Sequence, residues 1–238
     1  MRDSVRTVRV QETVVLVNSA SEQNQYEIQT ALAGIEGQAN ISDDIIVQGK
    51  DQEEQDSRLV KVIQRLKERR LTLNVEKCQF SMDKLTFVGM MLSGNGISCM
   101  KEKVKAVTEE REPETVSEIR SFLRLVNCCG RFILDLATIS EPLRLLTKTG
   151  TPFVFGSEQQ KAFHELKKRL SSAETLGYCD KDAPIQVVAN ASPVGLGAVL
   201  TQIHKDGPRV FFYASRSVTE TEKILSNRKG GPGAGMGL

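Results

Sequence analysis

Long apolar runs, a one-sided charge balance and metal-spaced cysteines are all missing from this sequence. No apolar stretch approaches the length needed to span a bilayer, and the start "MRDSVRTVRV" has no apolar signal-peptide core. The expected location is therefore cytoplasmic or nuclear. Basic residues number 32 and acidic residues 30, a formal net charge of +2. Bulk electrostatics thus supply no attraction to nucleic acid or membrane, and any nucleic-acid contact has to come from a local patch. The five cysteines are odd in number, with Cys128 and Cys129 adjacent and no metal-type spacing. They fit reduced thiols better than a disulfide framework or a zinc site. What is present, 238 residues with 39% hydrophobic content, is enough to bury one or two cores.

Along the chain, "SASEQNQYEIQTALAGI" reads as a helix with apolar Tyr26, Ile28, Leu32 and Ile35, and the strand-like "ANISDDIIVQGK" follows it. In "DQEEQDSRLVKVIQRLKERR", Leu59, Val62, Ile63 and Leu66 recur at helical spacing. Acids stand early in that segment and Arg69 and Arg70 late, as the helix dipole favours. "LTFVGMMLSGNGI" reads as a strand pair around a Gly-Asn-Gly turn. Thr115 with Glu118, and Ser157 with Gln160, form capping boxes ahead of two further apolar-periodic helices, with "TKTGTPFVFG" between them as a linker. From residue 184 the pattern changes to three strand-like runs, "PIQVVANAS", "GLGAVLTQ" and "RVFFYASRS", as in an antiparallel meander. The tail "NRKGGPGAGMGL" has the composition of a disordered segment.

Asp43 and Asp44 stand side by side immediately before Ile45, Ile46 and Val47. Like charges in contact repel, so the pair belongs either in a solvated turn or beside a cation. Neighbouring strand residues point to opposite faces, and two aspartates share one site only at a hairpin turn. A two-metal phosphoryl-transfer site further needs an acid from another strand to hold ions about 4 Å apart. Taken alone, the dipeptide more often serves a solvated turn.

The surrounding order changes that weighting. "SASEQ", x-x-Asp-Asp-Ile-Ile-Val, "RLTLNVEKCQF", "LTFVGMMLSGNGI", "SEIRSFLRLVN", "RFILDLATISEPLRLLTK", "KAFHELKKRLSSAETLGY", "NASPVGLGAVLTQ" and "YASRSVTETEK" occur in this sequence. In that order they resemble the reverse transcriptase of gypsy-type LTR retrotransposons, over about residues 16 to 226. The resemblance implies an α+β fold: a partial polymerase palm over residues 1–95, thumb and connection helices over 96–175, an incomplete RNase H-like antiparallel sheet over 176–226, and the tail 227–238. It implies that Asp43 and Asp44 match the family's Tyr-x-Asp-Asp box, whose acids hold catalytic Mg²⁺, with Ile41 where tyrosine is usual. Phe87, Val88 and Gly89 match the hairpin that grips the primer strand, the glycine allowing close backbone approach. The partners implied are an RNA/DNA primer-template or hybrid. Lys61, Lys67, Arg69, Arg70, Lys77, Lys103 and Lys105 are candidates for phosphate contact, although a solvated helix face accounts for most of them.

The sequence also departs from the family. The palm strand carrying another catalytic aspartate lies upstream of the segment matching "SASEQ", and neither Asp3, Glu12, Glu22 nor Glu27 matches it. Where the family writes Asp-Ala-Ser on the first RNase H strand, this chain has Asn190, Ala191 and Ser192. An amide carries no charge and does not bridge two divalent ions. Gly195 and Gly197 are expected to supply a tight turn, His164 and His204 match no catalytic histidine, and Arg124 replaces a family glycine, which is expected to loosen helix packing. Back-translated codons of Asn227 to Gly237, read in the adjacent frame, can encode the family's next RNase H helix, and Met236 followed by glycine forces a tryptophan there. A frameshift near residues 225 to 227 is therefore expected. The leading expectation is a truncated Pol copy without catalysis, its least stable part a sheet edge bearing Val210, Phe211 and Phe212. One alternative is a host-retained module that binds nucleic acid or Pol subunits; another is part of an active Pol completed by missing segments.

Overall fold

The apolar run that follows the acid pair becomes an inner strand. In the computed structural model, which describes residues 6–11, 20–41, 44–180, 182–204, 207–219 and 221–222, with side chains from Gln25 onward, the chain divides into two compact units, residues 1–97 and 98–238. Asp43 and the glycine-rich tail lie outside the described residues.

In the first unit, β3 (Asp44–Gly49) pairs antiparallel with β2 (Gln38–Ile41) on one side and β1 (Arg6–Gln11) on the other, and β4 (Gln79–Met82) follows β1. Because strand side chains alternate, β3 buries both faces. Ile45 and Val47 enter a cluster with Ile28 and Leu32 of α1 (Ala20–Leu32) and Val62 and Leu66 of α2 (Gln52–Glu68). Ile46 packs on the opposite face with Leu85 and Phe87. The α2 helix begins where Asp51 accepts the Glu54 N–H at 2.8 Å, and its arginines tie it to its neighbours: Arg58 donates to the Gln48 carbonyl and Arg65 to that of Ala31.

"LTFVGMMLSGNGI" folds into three strands rather than two: β5 (Lys84–Phe87), β6 (Met90–Ser93) and β7 (Gly96–Cys99), in that order in one sheet. The extra strand arises because Val88 and Gly89 both take positive φ, 48° and 71°, and close a second two-residue hairpin.

The second unit opens with α3 (Lys101–Glu109), α4 (Val116–Cys128), α5 (Leu136–Leu145) and α6 (Ser157–Ser171). Phe122 of α4 and Phe163 of α6 meet at its centre, ring centroids 4.4 Å apart, among buried Ile119, Val126, Leu143, Leu166 and Leu170. Thr115 caps α4 through the Glu118 N–H, but the Glu118 carboxylate reaches the Glu114 N–H instead of that of Thr115. At α6 the cap moves one residue earlier, with Gly156 as N-cap and its N–H donated to Gln159 Oε1 at 3.2 Å. The strands β8 (Ile185–Ala191), β9 (Gly195–His204) and β10 (Gly207–Ser217) form an antiparallel meander in the order β10-β9-β8, which completes the α+β class.

Three expectations are corrected here. Cys99 and Cys129 are paired as a disulfide, their Cα atoms 6.1 Å apart, because the fold joins positions that sequence spacing holds 30 residues apart. Arg124 lies exposed on α4, with hydrogen bonds to the Arg120 carbonyl and Ser121 Oγ, so it takes no place in the packing. The expected edge is present, since β10 ends the sheet, but its Val210, Phe211 and Phe212 are half-buried, Phe212 beneath the Arg131 guanidinium at 5.1 Å, and it is Ile185, Val187 and Val188 of β8 at the other edge that are more than half exposed.

Candidate functional site

Asp44 opens β3, paired across the sheet with Ile41 on β2 and Gln11 on β1. Strand alternation puts it on the face of Ile46, where Leu85 and Phe87 also pack. The fold thus brings Asp44 and the Phe87-Val88-Gly89 turn to one side of the same sheet. Asp44 is half-buried and already holds an interaction within the chain. Of the turn residues, Phe87 is 7% exposed and belongs to the core, while Val88 is 53% exposed. What the turn offers to a ligand is the Val88 side chain and the backbone at Gly89. A β-branched residue in the left-handed region is strained, and such strain is the kind found where function fixes a conformation.

Asn190 sits on β8 in a row with Gly197 of β9 and Ser215 of β10. Each of these positions contacts the start of α5 or lies beside one that does. Ser215 Oγ accepts the Ala137 N–H at 2.9 Å, and the Asp135 carboxylate occupies the space that a Cβ on Gly197 would need. A Cβ on Gly195 would lie 2.7 Å from Thr138 Oγ1. The two glycines therefore lie within β9 as a seat for α5, and the turn before them is built by Ser192. Its backbone N–H donates to the Gly195 carbonyl, its hydroxyl accepts the Gly195 N–H, and it lies 3.0 Å from Thr138 Oγ1. Sequence reasoning missed Asp135 and Thr138. Asp135 stands at a left-handed φ of 56°, a position that aspartate tolerates well, but nothing local announces that its carboxylate meets a glycine 62 positions later.

Past β10, Glu222 accepts two hydrogen bonds from the Arg216 guanidinium, at 2.6 and 2.9 Å, and two more from Thr219. These hold its carboxyl down at about 2, the arginine being the largest cause, and raise the Arg216 pKa in return. His164 pairs with Glu112 at the surface, Nε2 to Oε1 3.0 Å.

The donor set of the described residues does not by itself make a two-metal centre at either position. Among the described residues no three His, Cys, Asp or Glu side chains gather where an ion could sit, Asp44 is the sole described member of its pair, and Asn190 offers a neutral amide. Also among the described residues, no helix is long and apolar enough to cross a membrane.

Residues 155–229 match the family model of the RNase H-like domain found in reverse transcriptase. The chain is 34% identical over 198 residues to the Pol polyprotein of the Drosophila melanogaster transposon 412, an alignment covering 82% of this chain and 16% of that protein. It is 30% identical over 192 residues to that of transposon opus of the same fly, covering 76% and 19%. The Transposon Tf2-3 polyprotein of Schizosaccharomyces pombe is 29% identical over 222 residues, covering 90% and 16%. The chain thus spans less than a fifth of the length of these relatives. In fold it is similar to foamy viral protease-reverse transcriptase in complex with double-stranded DNA, at a TM-score of 0.78 and 21% identity, covering 94% of this chain and 44% of the other. The same enzyme in complex with RNA/DNA hybrid gives 0.75 at 20% identity, covering 96% and 36%. The chain is therefore a segment of retrotransposon Pol type, a reverse transcriptase region carrying an RNase H-like domain.

Proposed function

We propose that this chain is a gypsy-type reverse transcriptase segment that binds an RNA/DNA primer-template or hybrid and performs neither strand extension nor hybrid cleavage by itself. The observation that carries the reading is Asn190. Hybrid cleavage by this fold class depends on divalent ions held by several carboxylates, which activate water and stabilise the leaving oxygen. Asn190 keeps the strand and the cross-strand row but brings no charge to them. Binding is supported by the likeness in fold to enzymes solved on DNA and on hybrid.

The test uses the full chain with a labelled RNA/DNA hybrid, following binding by anisotropy and cleavage on a gel with Mg²⁺ or Mn²⁺. Salt-dependent binding without cleavage or primer extension is expected, and Asn190→Asp alone should leave cleavage absent, since one carboxylate does not assemble the site. Cleavage by the unmodified chain, or primer extension abolished by Asp44→Ala, would show that the segment is catalytic.

A further inference from the structure

Three elements of the second unit converge on a cavity of about 250 Å³ that includes neither Asp44 nor Asn190. Leu123 and Asn127 come from α4, Ser140 and Arg144 from α5, and Ser215 and Ser217 from β10. Each pair is spaced to share one face of its element, four apart on a helix and two apart on a strand. Among the described residues no aspartate or glutamate lines the cavity, and Arg216, which does, spends its guanidinium on Glu222. Ser217 Oγ is buried without a hydrogen-bond partner among the described residues. Ser215 Oγ accepts the Ala137 N–H, which leaves its own hydrogen to donate. Among the described residues the Arg144 guanidinium and the Asn127 side-chain amide likewise have no hydrogen-bond or ion-pair partner, and Arg144 is exposed at the rim.

A concavity rich in donors, with no acid among its described lining residues, is complementary to an oxyanion. The planar guanidinium pairs with two oxygens at once, and donors from three different elements suit a tetrahedral group, whose further oxygens point away from that pair. A planar carboxylate would be served by the arginine alone and would leave the Ser217 hydroxyl unpaired. We propose that this cavity is a phosphate-binding subsite in which Arg144 takes two phosphate oxygens while Ser217 and Asn127 serve the others. The phosphate comes either from a nucleic-acid backbone or from free phosphate or a mononucleotide. The subsite stands independently of the function proposed above, and only the backbone source rests on that reading.

The full chain is titrated with inorganic phosphate by calorimetry and, separately, with a labelled RNA/DNA hybrid over a range of salt concentrations. Arg144→Gln should weaken phosphate binding about tenfold and Ser217→Ala about threefold, while Arg169→Gln, at an exposed ion pair on α6, should leave it unchanged. Ser217→Ala removes only the hydroxyl and decides the matter if Arg144→Gln unfolds. A hybrid salt slope lower by about one in Arg144→Gln assigns the phosphate to a strand backbone; an unchanged slope with weakened phosphate binding assigns it to a free ligand. Phosphate binding equal in wild type and both variants, or no phosphate binding with an unaltered hybrid slope, overturns the subsite. A hybrid that does not bind the wild-type chain would count against the proposed function, with the phosphate titration still deciding this point.

Discussion

Two strands carry the positions that the sequence resemblance assigns to catalytic acids, and they are built in opposite ways. The β3 strand, opening with Asp44, runs between two neighbours and buries Ile45, Ile46 and Val47 against cores on both faces. The β8 strand, bearing Asn190, is an edge strand among the described residues, with every side chain exposed. A carboxylate on β3 is held by packing that would persist whether or not a metal binds. Whatever stands at 190 is held by one ladder of hydrogen bonds to β9 and by the seating of α5 on that strand. The difference teaches that the choice of side chain at 190 costs the fold little.

The largest effect is expected from truncating the two strands in parallel. Ile45→Ala opens a cavity in a closed core and should cost about 2–5 kcal/mol in urea unfolding. Val187→Ala removes an exposed side chain and should stay within about 0.5 kcal/mol. Equal losses would mean that β8 is covered in solution and would remove the contrast.

Next in size is the seat of α5. Gly197→Ala places a methyl where the Asp135 carboxylate sits, and displacing that turn should cost about 1–3 kcal/mol. Asp135→Gly removes the obstruction, so the double variant should lose less than the sum of the singles. Strict additivity would show that the glycine is required for some other reason.

How far the sequence revealed these features follows from the range of the interactions. The α2 helix was legible because its apolar spacing, its early acids and Asp51 act within a few residues of one another. The meander was legible from three alternating runs split by turn residues. By contrast β1, "RTVRVQ", has two apolar residues and shows its strand character through its pairing with β3 and β4. The Asp135 contact with Gly197, the Ser215 bond to α5 and the pairing of Cys99 with Cys129 join distant positions, and no local pattern encodes them. At the candidate sites, residue type at Asp44 and Asn190 was readable, whereas burial of Phe87 and the left-handed Val88 required the fold.

A smaller effect should come from relieving Val88, whose φ of 48° disfavours a β-branched side chain. Val88→Asn creates an Asn-Gly pair, the sequence best suited to a two-residue hairpin, and loses no core because Val88 is exposed. Stabilisation of about 1 kcal/mol is expected. If melting shows no gain, the turn is not under strain, and β5 and β6 are less rigid than the strand they pack beside.

The smallest effect sharpens the comparison at the far end of the edge sheet. The Glu222 side chain is 38% accessible and Arg216 more so, so their ion pair works against strong solvent screening. Its folded carboxyl titrates at about 2, below the ordinary value of 4.5, chiefly because the Arg216 guanidinium favours the charged form. A depressed carboxyl contributes stability that is fully present above the unfolded value and is lost as pH falls toward the folded one. Between about pH 4.5 and 2, wild type should therefore lose slightly more thermal stability than Glu222→Gln, which lacks the titrating group. Carbon-detected NMR of the Glu222 carboxyl should place its midpoint near 2 in wild type and move it up toward 4.5 in Arg216→Gln. A midpoint already near 4.5 in wild type would show that the turn beyond β10 is not held by this pair, leaving β10, like β8, closed by its ladder to β9.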